Sequence, residues 1–374
     1  MKKIKQILFI ATFPPPVHGS AMVSQYIRES KLINEAFECD YVNLSTSRRM
    51  DEIGKKNPVK IWRLFSALLL TFWKLLTHRY DLCYLAITCH GNGFLKDSPF
   101  VLLCRMFRKK IIIHQHNKGM ANDVDRWPYR WLLPLCYKNA KVILLSWRLY
   151  PDIEKVVPKE NVMICPNGIP ETVIGDPLRS DNAVPRLLFL SNLLIEKGVL
   201  VLLDALKILK DRGYSFVCDF VGGETTEIDA TKFETEVRKR ILNDKVVFHG
   251  KKYGTEKRDI FSNADIFIFP TYYHNECFPL VLLEAMQYGK PCISTNEGGI
   301  LDIVKNGENG LIAERRNAES LSDCIQKLLD NPELCRQMGE NGRKKFHEHF
   351  TNEVFERTMV EIINGQIIMN AQHQ

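Results

Sequence analysis

The sequence contains no CxxC pair, although it has 11 cysteines, an odd number. Several cysteines lie in apolar segments, among them Cys83, Cys104 and Cys218, where a free thiol behaves as a small buried hydrophobic group. Scattered, unpaired cysteines are typical of a reducing compartment, and no Cys/His spacing here fits a zinc site. We therefore expect a cytoplasmic protein with free thiols and no bound metal.

Long hydrophobic segments are also missing. The longest apolar run, residues 64–73, has ten residues, whereas a membrane-spanning helix needs roughly 20. The apolar stretch 7–13 runs into three prolines without a small-residue cleavage site, so we interpret it as part of a first β-strand and not as a signal peptide. The sequence has no internal repeat, no low-complexity segment and no GxGxxG motif, which disfavours a dinucleotide cofactor.

Acidic residues are scarce in the first half of the chain. Residues 1–170 carry 26 Lys and Arg against 13 Asp and Glu, whereas the rest of the chain carries 25 against 31. A basic half attracts phosphate groups, acidic lipids or nucleic acid, unless it is simply a solvated surface. Because the basic residues are dispersed and not interleaved with aromatic ones, we expect no nucleic-acid partner. The helix predicted at 59–76 has basic and aromatic flanks, and it either lies in a membrane interface or packs as an ordinary helix.

Short apolar segments alternate with longer helical patterns, which is typical of βα units around a parallel sheet. We predict an α/β fold with two Rossmann-like, doubly wound domains, 1–173 and 186–351, joined by a turn-rich linker at 174–185. The last segment, 352–374, either caps the second domain or crosses back to the first. The predicted strands are 6–11, 39–44, 82–87, 110–114, 141–145, 161–165, 186–191, 216–221, 246–249, 266–269, 291–294 and 310–313. The predicted helices are 21–29, 59–76, 99–107, 129–138, 199–210, 232–242, 256–263, 279–288, 320–330, 332–350 and 352–369.

Ligands of open α/β sheets bind beyond the carboxyl ends of the strands, and two loops there have residues suited to anions. The loop after the first strand ends with Gly19, just before a helix, where backbone N–H groups can approach a phosphate. The loop 191–198 brings Lys197 to a helix start, so an ammonium and free N–H groups could face one anion. Each feature is also compatible with a plain turn or a surface lysine.

The segment after the strand at 266–269 is the most informative. Pro279 suits the first turn of a helix, where its missing N–H costs nothing. Glu276 lies in the loop before that helix, and Glu284 lies on its second turn. A carboxylate on an apolar helix is costly unless it is hydrogen-bonded. The vicinal hydroxyls of a sugar would supply bidentate donors, and the alternative is that Glu284 pairs with a lysine or caps the backbone.

Glu276 and Glu284 are separated by seven residues, an EX7E arrangement, and further motifs follow in order: PNGI at 166–169, EGG at 297–299 and NGENGL at 306–311. This set resembles family 4 of the retaining glycosyltransferases (glycosyl transferases group 1) over essentially the whole chain. The resemblance implies a GT-B fold, two Rossmann-like domains facing a central cleft. The first domain would take the acceptor, and the second a nucleotide-sugar. No metal or other cofactor is implied.

The resemblance also implies roles for particular residues. Glu284 would bind the ribose hydroxyls, Lys197 would neutralise the diphosphate, and Glu276 would hold the transferred sugar together with the backbone at the following helix start. The implied donor-binding residues are Gly19, Asn192, Lys197, Glu276, Phe278, Pro279, Leu280 and Glu284.

His116, which follows a predicted strand, matches the first-domain histidine of this family close to the reacting sugar. With Lys197 and Glu276 it completes the implied catalytic set. His114 lies deeper in the strand, and we place it with His18 on the acceptor side.

One position departs from the family pattern. Where the family usually has an arginine beside the lysine, this chain has Asn192, which can hydrogen-bond but has no formal charge. One charge contact to the diphosphate is then missing, or it comes from a cation elsewhere in the chain, such as His18 or Arg148.

We therefore expect a retaining hexosyl- or N-acetylhexosaminyltransferase that uses a nucleotide-diphosphate sugar. A basic first domain with an amphipathic helix fits a lipid-linked or growing surface polysaccharide as acceptor, at an anionic membrane surface on the cytoplasmic side. The alternatives are a nucleotide-sugar-binding protein of this fold without turnover, and a nucleotide-sugar epimerase. Catalysis would depend on stabilising the departing diphosphate.

Overall fold

The structure, a computed structural model, describes residues 4–15, 17–47, 58–172 and 182–368. The chain divides into two compact units: the first is formed by Met1–Ile169 and Asn352–Gln374, and the second by Pro170–Thr351. Of the linker predicted at 174–185, residues 174–181 lie outside the described part of the chain.

The first unit contains a six-stranded parallel sheet of order β2-β1-β3-β4-β5-β6. Its strands are β1 (Lys5–Ala11), β2 (Phe37–Asn43), β3 (Leu82–Leu85), β4 (Ile111–His114), β5 (Lys141–Leu144) and β6 (Val162–Ile164). Its helices are α1 (Gly19–Glu29), α2 (Lys31–Ala36), α3 (Pro58–Thr77), α4 (Gly91–Met106), α5 (Met120–Asp123), α6 (Tyr129–Tyr137) and, from the end of the chain, α14 (Asn352–Ile368).

The second unit contains another six-stranded parallel sheet, of order β12-β11-β10-β7-β8-β9. Its strands are β7 (Arg186–Leu190), β8 (Val217–Val221), β9 (Val246–Phe248), β10 (Ile266–Phe269), β11 (Cys292–Ser294) and β12 (Gly310–Ile312). Its helices are α7 (Val199–Asp211), α8 (Ala230–Lys239), α9 (Gly254–Asn263), α10 (Leu280–Gln287), α11 (Ile300–Ile303), α12 (Ala318–Leu329) and α13 (Pro332–His349).

The two sheets confirm the predicted α/β fold, and each of the twelve strands begins and ends within two residues of its predicted position. The reason is that strands of a parallel sheet are buried on both faces and therefore form continuous apolar runs. All four residues of β10 are buried, for example.

The start predicted for the helix at 99–107 is wrong, because α4 begins at Gly91. Proline is common at the start of a helix, but Pro99 lies inside α4. Its ring removes one backbone donor, and the Ser98 hydroxyl instead donates to the carbonyl oxygen of Leu95 at 3.2 Å. The short helices α2, α5 and α11 were not predicted.

The final helix α14 packs on α2 in the first unit. The backbone N–H of Asn352 donates to the carbonyl oxygen of Ile169 at 2.8 Å. Further along, the Lys110 ammonium donates to the carbonyl oxygens of Gln366 and Ile367, at 3.3 and 3.2 Å. The chain thus returns to its first unit after completing the second.

Candidate functional site

Two of the predicted site residues meet at the carboxyl edge of the second sheet. Lys197 ends the 3₁₀ turn Ile195–Lys197 after β7, and Glu276 lies in the loop after the neighbouring strand β10. Lys197 Nζ is 2.6 Å from Glu276 Oε2, and the two side chains are only 15% and 10% exposed. The structure therefore places them in one buried ion pair.

Gly198 is what allows the two loops to approach each other. It has a φ of +85°, in the left-handed region that glycine adopts without steric cost. A β-carbon at this position would lie 2.2 Å from the carbonyl oxygen of Pro270 in the loop after β10. A larger residue would push the Lys197 loop away from Glu276.

We expect Gly198→Ala to lower the free energy of unfolding by about 2 kcal/mol more than Gly213→Ala does. The two glycines have nearly the same φ, +85° and +86°, so both variants carry the same backbone strain. At Gly213, however, a β-carbon would meet nothing within 4 Å. Urea unfolding of the two variants measures the difference, and equal losses would contradict the close approach at Gly198.

The ion pair has further contacts that fix it in place. The Thr271 hydroxyl donates to Glu276 Oε2 at 3.4 Å. The Lys197 ammonium lies 4.6 Å from the ring centre of Tyr273 and 5.3 Å from that of Phe269, where cation–π attraction adds to the ion pair. Because both charges are largely removed from water, deleting either one leaves the other without compensation.

Glu284 lies on α10, as predicted, and pairs with a lysine. Lys257, on α9, places its Nζ 2.7 Å from the Glu284 carboxylate, and each side chain is about a quarter exposed. The structure thus shows a lysine as the partner of this carboxylate. Lys257 was not singled out in the sequence, because it is 27 residues away and no local pattern joins α9 to α10.

The start of α10 differs by one residue from the prediction. Pro279 is the N-cap, with an extended backbone (φ −69°, ψ 119°), and the helix begins at Leu280. Phe278 is buried, and its ring packs against Phe350 at 5.7 Å between ring centres. The ring of Phe278 is thus part of the packed interior of the second unit.

Asn192 follows β7 and supports a neighbouring loop. Its Oδ1 accepts a hydrogen bond from the backbone N–H of Gly223 at 3.1 Å. A β-carbon at the preceding residue, Gly222, would lie 1.8 Å from the carbonyl oxygen of Ser191. The loops after β7 and β8 are therefore in close contact, and Asn192 joins them.

The first unit holds the histidines singled out in the sequence. His18 caps α1, accepting at Nδ1 from the backbone N–H of Ala21 at 3.4 Å, and Gly19 is the first helical residue instead of the one before the helix. His114 is fully buried in β4, with Nδ1 2.7 Å from the Tyr84 hydroxyl. His114 therefore lies inside the sheet, whereas His18 and His116 lie beyond the ends of the strands.

His116 follows β4 and is partly exposed, but both of its ring nitrogens are buried, and its ring centre is 4.1 Å from that of His114. Neither of its ring nitrogens has a hydrogen-bond partner among the described residues. Burial, with a smaller contribution from His18, lowers the pKa of His116 to about 4. Burial also lowers the pKa of His18, with Lys96 contributing. These imidazoles are therefore uncharged at neutral pH.

A pocket of about 840 Å³ opens at the carboxyl ends of β1 to β4 within the first unit. His18, His116 and Asn117 line one part of it, and Lys60 and Lys96 add positive charge. Hydroxyl groups line much of the rest, from Thr12, Ser20, Ser24, Ser45, Thr46, Ser47 and Thr88. Uncharged imidazoles, hydroxyls and ammonium groups together suit a ligand that carries both hydroxyls and negative charge.

Across residues 4–15, 17–47, 58–172 and 182–368, no group of three or more His, Cys, Asp or Glu side chains is arranged to hold a metal ion. The predicted residues fall into two sets. Lys197, Glu276, Glu284 and Asn192 belong to the second unit, whereas Gly19 and the three histidines belong to the first.

Comparison with known proteins gives a family match in the second unit. Residues 174–345 match the family described as glycosyl transferases group 1. The capsular polysaccharide biosynthesis glycosyltransferase CapM of Staphylococcus aureus is 29% identical over 176 residues, which are 47% of this chain and 45% of CapM. The matched part thus spans about half the length of such a curated relative.

Solved structures match over nearly the whole chain. A glycosyltransferase from Rickettsia africae ESF-5 has a TM-score of 0.76 at 18% identity, with 98% of this chain and 99% of that chain covered. HepE of Anabaena, in complex with UDP-glucose, has a TM-score of 0.73 at 16% identity, with 96% and 99% covered. These likenesses confirm the GT-B fold.

Proposed function

Because residues 174–345 match the family described as glycosyl transferases group 1, we propose that this protein is a glycosyltransferase. It moves a sugar from a nucleotide diphosphate to an acceptor hydroxyl, with retention at the anomeric carbon. The observation that carries the proposal is the buried ion pair of Lys197 and Glu276 at the carboxyl edge of the second sheet. That edge is where open α/β folds bind nucleotides.

The two residues of the ion pair serve different parts of the donor, the diphosphate and the transferred sugar. The Lys197 ammonium can bind the diphosphate and stabilise the charge that develops on it as it leaves. The Glu276 carboxylate can accept hydrogen bonds from the hydroxyls of the transferred sugar. In the reaction, the acceptor oxygen bonds to the anomeric carbon, the bond to the diphosphate breaks, and the acceptor proton passes to a diphosphate oxygen.

The donor nucleotide is held further along the same edge by Glu284. A ribose has two adjacent hydroxyls, and a carboxylate accepts from both of them at once. Lys257, at 2.7 Å, orients this carboxylate. HepE of Anabaena, which has the same fold, was solved with UDP-glucose, and this supports a nucleoside-diphosphate sugar as donor.

We expect Glu284→Ala to weaken nucleoside diphosphate binding about tenfold or more, because two hydrogen bonds to a charged group are lost. Thermal shift with UDP, GDP and ADP measures it, since a ligand at 100 times its dissociation constant stabilises the folded protein by about 2.7 kcal/mol. Glu256→Ala is the control, because Glu256 is an exposed glutamate that pairs with Lys252. If both variants bind like the wild type, Glu284 has no role in donor binding.

The acceptor, we propose, is a lipid-linked glycan that carries phosphate, of the kind used in surface polysaccharide assembly. The pocket of the first unit combines hydroxyls with Lys60 and Lys96. Helix α3 supplies one wall of this pocket, through Lys60, Ile61 and Leu64. CapM of Staphylococcus aureus is described as a capsular polysaccharide biosynthesis glycosyltransferase, which supports this class of acceptor.

The outer face of α3 supports attachment to a membrane surface. Eight large apolar side chains of α3 are at least 45% exposed: Val59, Ile61, Trp62, Phe65, Leu69, Leu70, Trp73 and Leu76. An exposed apolar patch of this size is typical of a partner-binding or membrane-binding face, and basic residues on the same helix attract anionic headgroups.

No helix among the described residues has the length and apolarity to cross a bilayer. All 11 cysteines are free thiols, which fits the cytoplasmic side of the membrane.

Transfer is tested directly with UDP-, GDP- and ADP-linked hexoses and N-acetylhexosamines and a lipid-phosphate acceptor. The expected result is one glycosylated product with the anomeric configuration of the donor, identified by mass spectrometry and NMR. Donor binding without any transfer would favour a nucleotide-sugar-binding protein, and an altered free sugar nucleotide would favour an epimerase.

A further inference from the structure

Lys251 lies in the loop after β9, at the same carboxyl edge as Lys197. Its side chain extends over Gly223, in the loop after β8: a β-carbon at Gly223 would lie 2.2 Å from Lys251 Cε and 3.2 Å from its Nζ. The same β-carbon would be 2.9 Å from Asn192 Oδ1, in the loop after β7. The absence of a side chain at Gly223 therefore lets the Lys251 ammonium lie beside Asn192.

The positive charges near this edge are mostly neutralised by carboxylates. The ion pairs there include Lys197–Glu276, Lys257–Glu284 and Lys252–Glu256. No carboxylate of the described residues pairs with Lys251, which is exposed. Arg316 also has no such partner, but its guanidinium lies 4.5 Å from the ring centre of Tyr272. Lys251 is therefore a cation at this edge whose charge is not already offset.

A diphosphate needs more positive charge than the Lys197 pair supplies. It carries at least two negative charges when esterified to a sugar, and the charge of Lys197 is opposed by Glu276 at 2.6 Å. Asn192 adds no charge, and its Oδ1 is occupied by the Gly223 N–H. A flexible ammonium beside these groups can turn toward a phosphate oxygen.

We propose that Lys251 is a second diphosphate-binding cation of the donor site. It reaches across Gly223 to the phosphates, while Asn192 holds the loop that leaves this path open. The inference rests on the proposed function, because it assigns a residue to the same nucleoside-diphosphate site. It also predicts that a side chain at position 223 would weaken donor binding, because it would displace the Lys251 side chain.

The test compares phosphate-dependent with phosphate-independent binding. Calorimetric titration is carried out with UDP, GDP and ADP and with uridine, guanosine and adenosine. Lys251→Ala is expected to weaken binding of the preferred diphosphate about tenfold, since one charge-assisted contact is lost, and to leave binding of the nucleoside unchanged. Lys252→Ala is the matched control, because it removes the adjacent lysine, and we expect it to bind the diphosphate like the wild type.

A second variant relocates the charge. Adding Asn192→Arg to Lys251→Ala returns a cation to the same space, and we expect it to recover most of the lost affinity. Unchanged diphosphate affinity in Lys251→Ala, or an equal loss in Lys252→Ala, would overturn the inference while leaving the proposed function intact. If the wild type binds none of the three diphosphates, the proposed function itself fails.

Discussion

Lys197→Ala is expected to lower kcat for sugar transfer by about 10²–10³-fold, because the developing charge on the diphosphate loses its buried cation. Glu276→Gln should also lower kcat, since a neutral amide accepts weaker hydrogen bonds from the sugar than a carboxylate does. Initial rates at saturating donor measure both effects. Lys207→Ala is the control. Lys207 and Asp211 both lie on α7 and pair with each other, so removing the Lys207 ammonium should leave the rate of transfer unchanged.

The same substitutions separate catalysis from stability. Lys197→Ala leaves a largely buried carboxylate unpaired, and this should cost about 3–5 kcal/mol of unfolding free energy. The double variant Lys197→Ala/Glu276→Ala removes both charges, and it should recover much of that loss while remaining inactive. If the double variant recovers activity together with stability, the ion pair is structural, and Lys197 does not act on the diphosphate.

Trp62→Gln combined with Trp73→Gln is expected to weaken binding to anionic phospholipid vesicles about 100-fold. Each tryptophan carries a large apolar surface, and the loss of two such insertions from the bilayer interface amounts to about 2–4 kcal/mol. Both residues lie on the outer face of α3, 67% and 61% exposed. Neither lines the adjacent pocket, so transfer to a soluble acceptor analogue should be unchanged. Sedimentation with vesicles at low salt measures the binding.

The matched control replaces Trp127 and Trp131 with glutamine. These tryptophans belong to the same unit and are 78% and 66% exposed, but they lie outside α3. We expect their replacement to leave vesicle binding unchanged. An equal loss in the control would show that α3 is not the membrane-binding face, and a wild-type protein that ignores vesicles would remove the membrane from the proposal altogether.

The candidate site was predictable only in part. The EX7E spacing and the Lys197–Gly198 loop identified the groups at the edge of the second sheet, because strand ends and helix starts leave local signals. Their partners left no such signals. Lys257 lies 27 residues before Glu284, and Lys251 approaches Asn192 only because β7, β8 and β9 are neighbours in the sheet. The sequence showed that position 192 has asparagine where the related family usually has arginine. It did not show that the Lys251 ammonium lies near this position.

The sequence by itself determined the two parallel sheets, since strands covered on both faces must be apolar along their whole length. It also predicted that two glutamates, Glu276 and Glu284, follow one strand as candidate donor-binding residues. Only the tertiary structure decided what those carboxylates contact. Lys197 and Glu276 are 79 residues apart, and they pair because Gly198 lets one loop touch Pro270. The ring nitrogens of His116 are buried by tertiary packing, which no local pattern encodes, and this burial, with a contribution from His18, lowers its pKa to about 4.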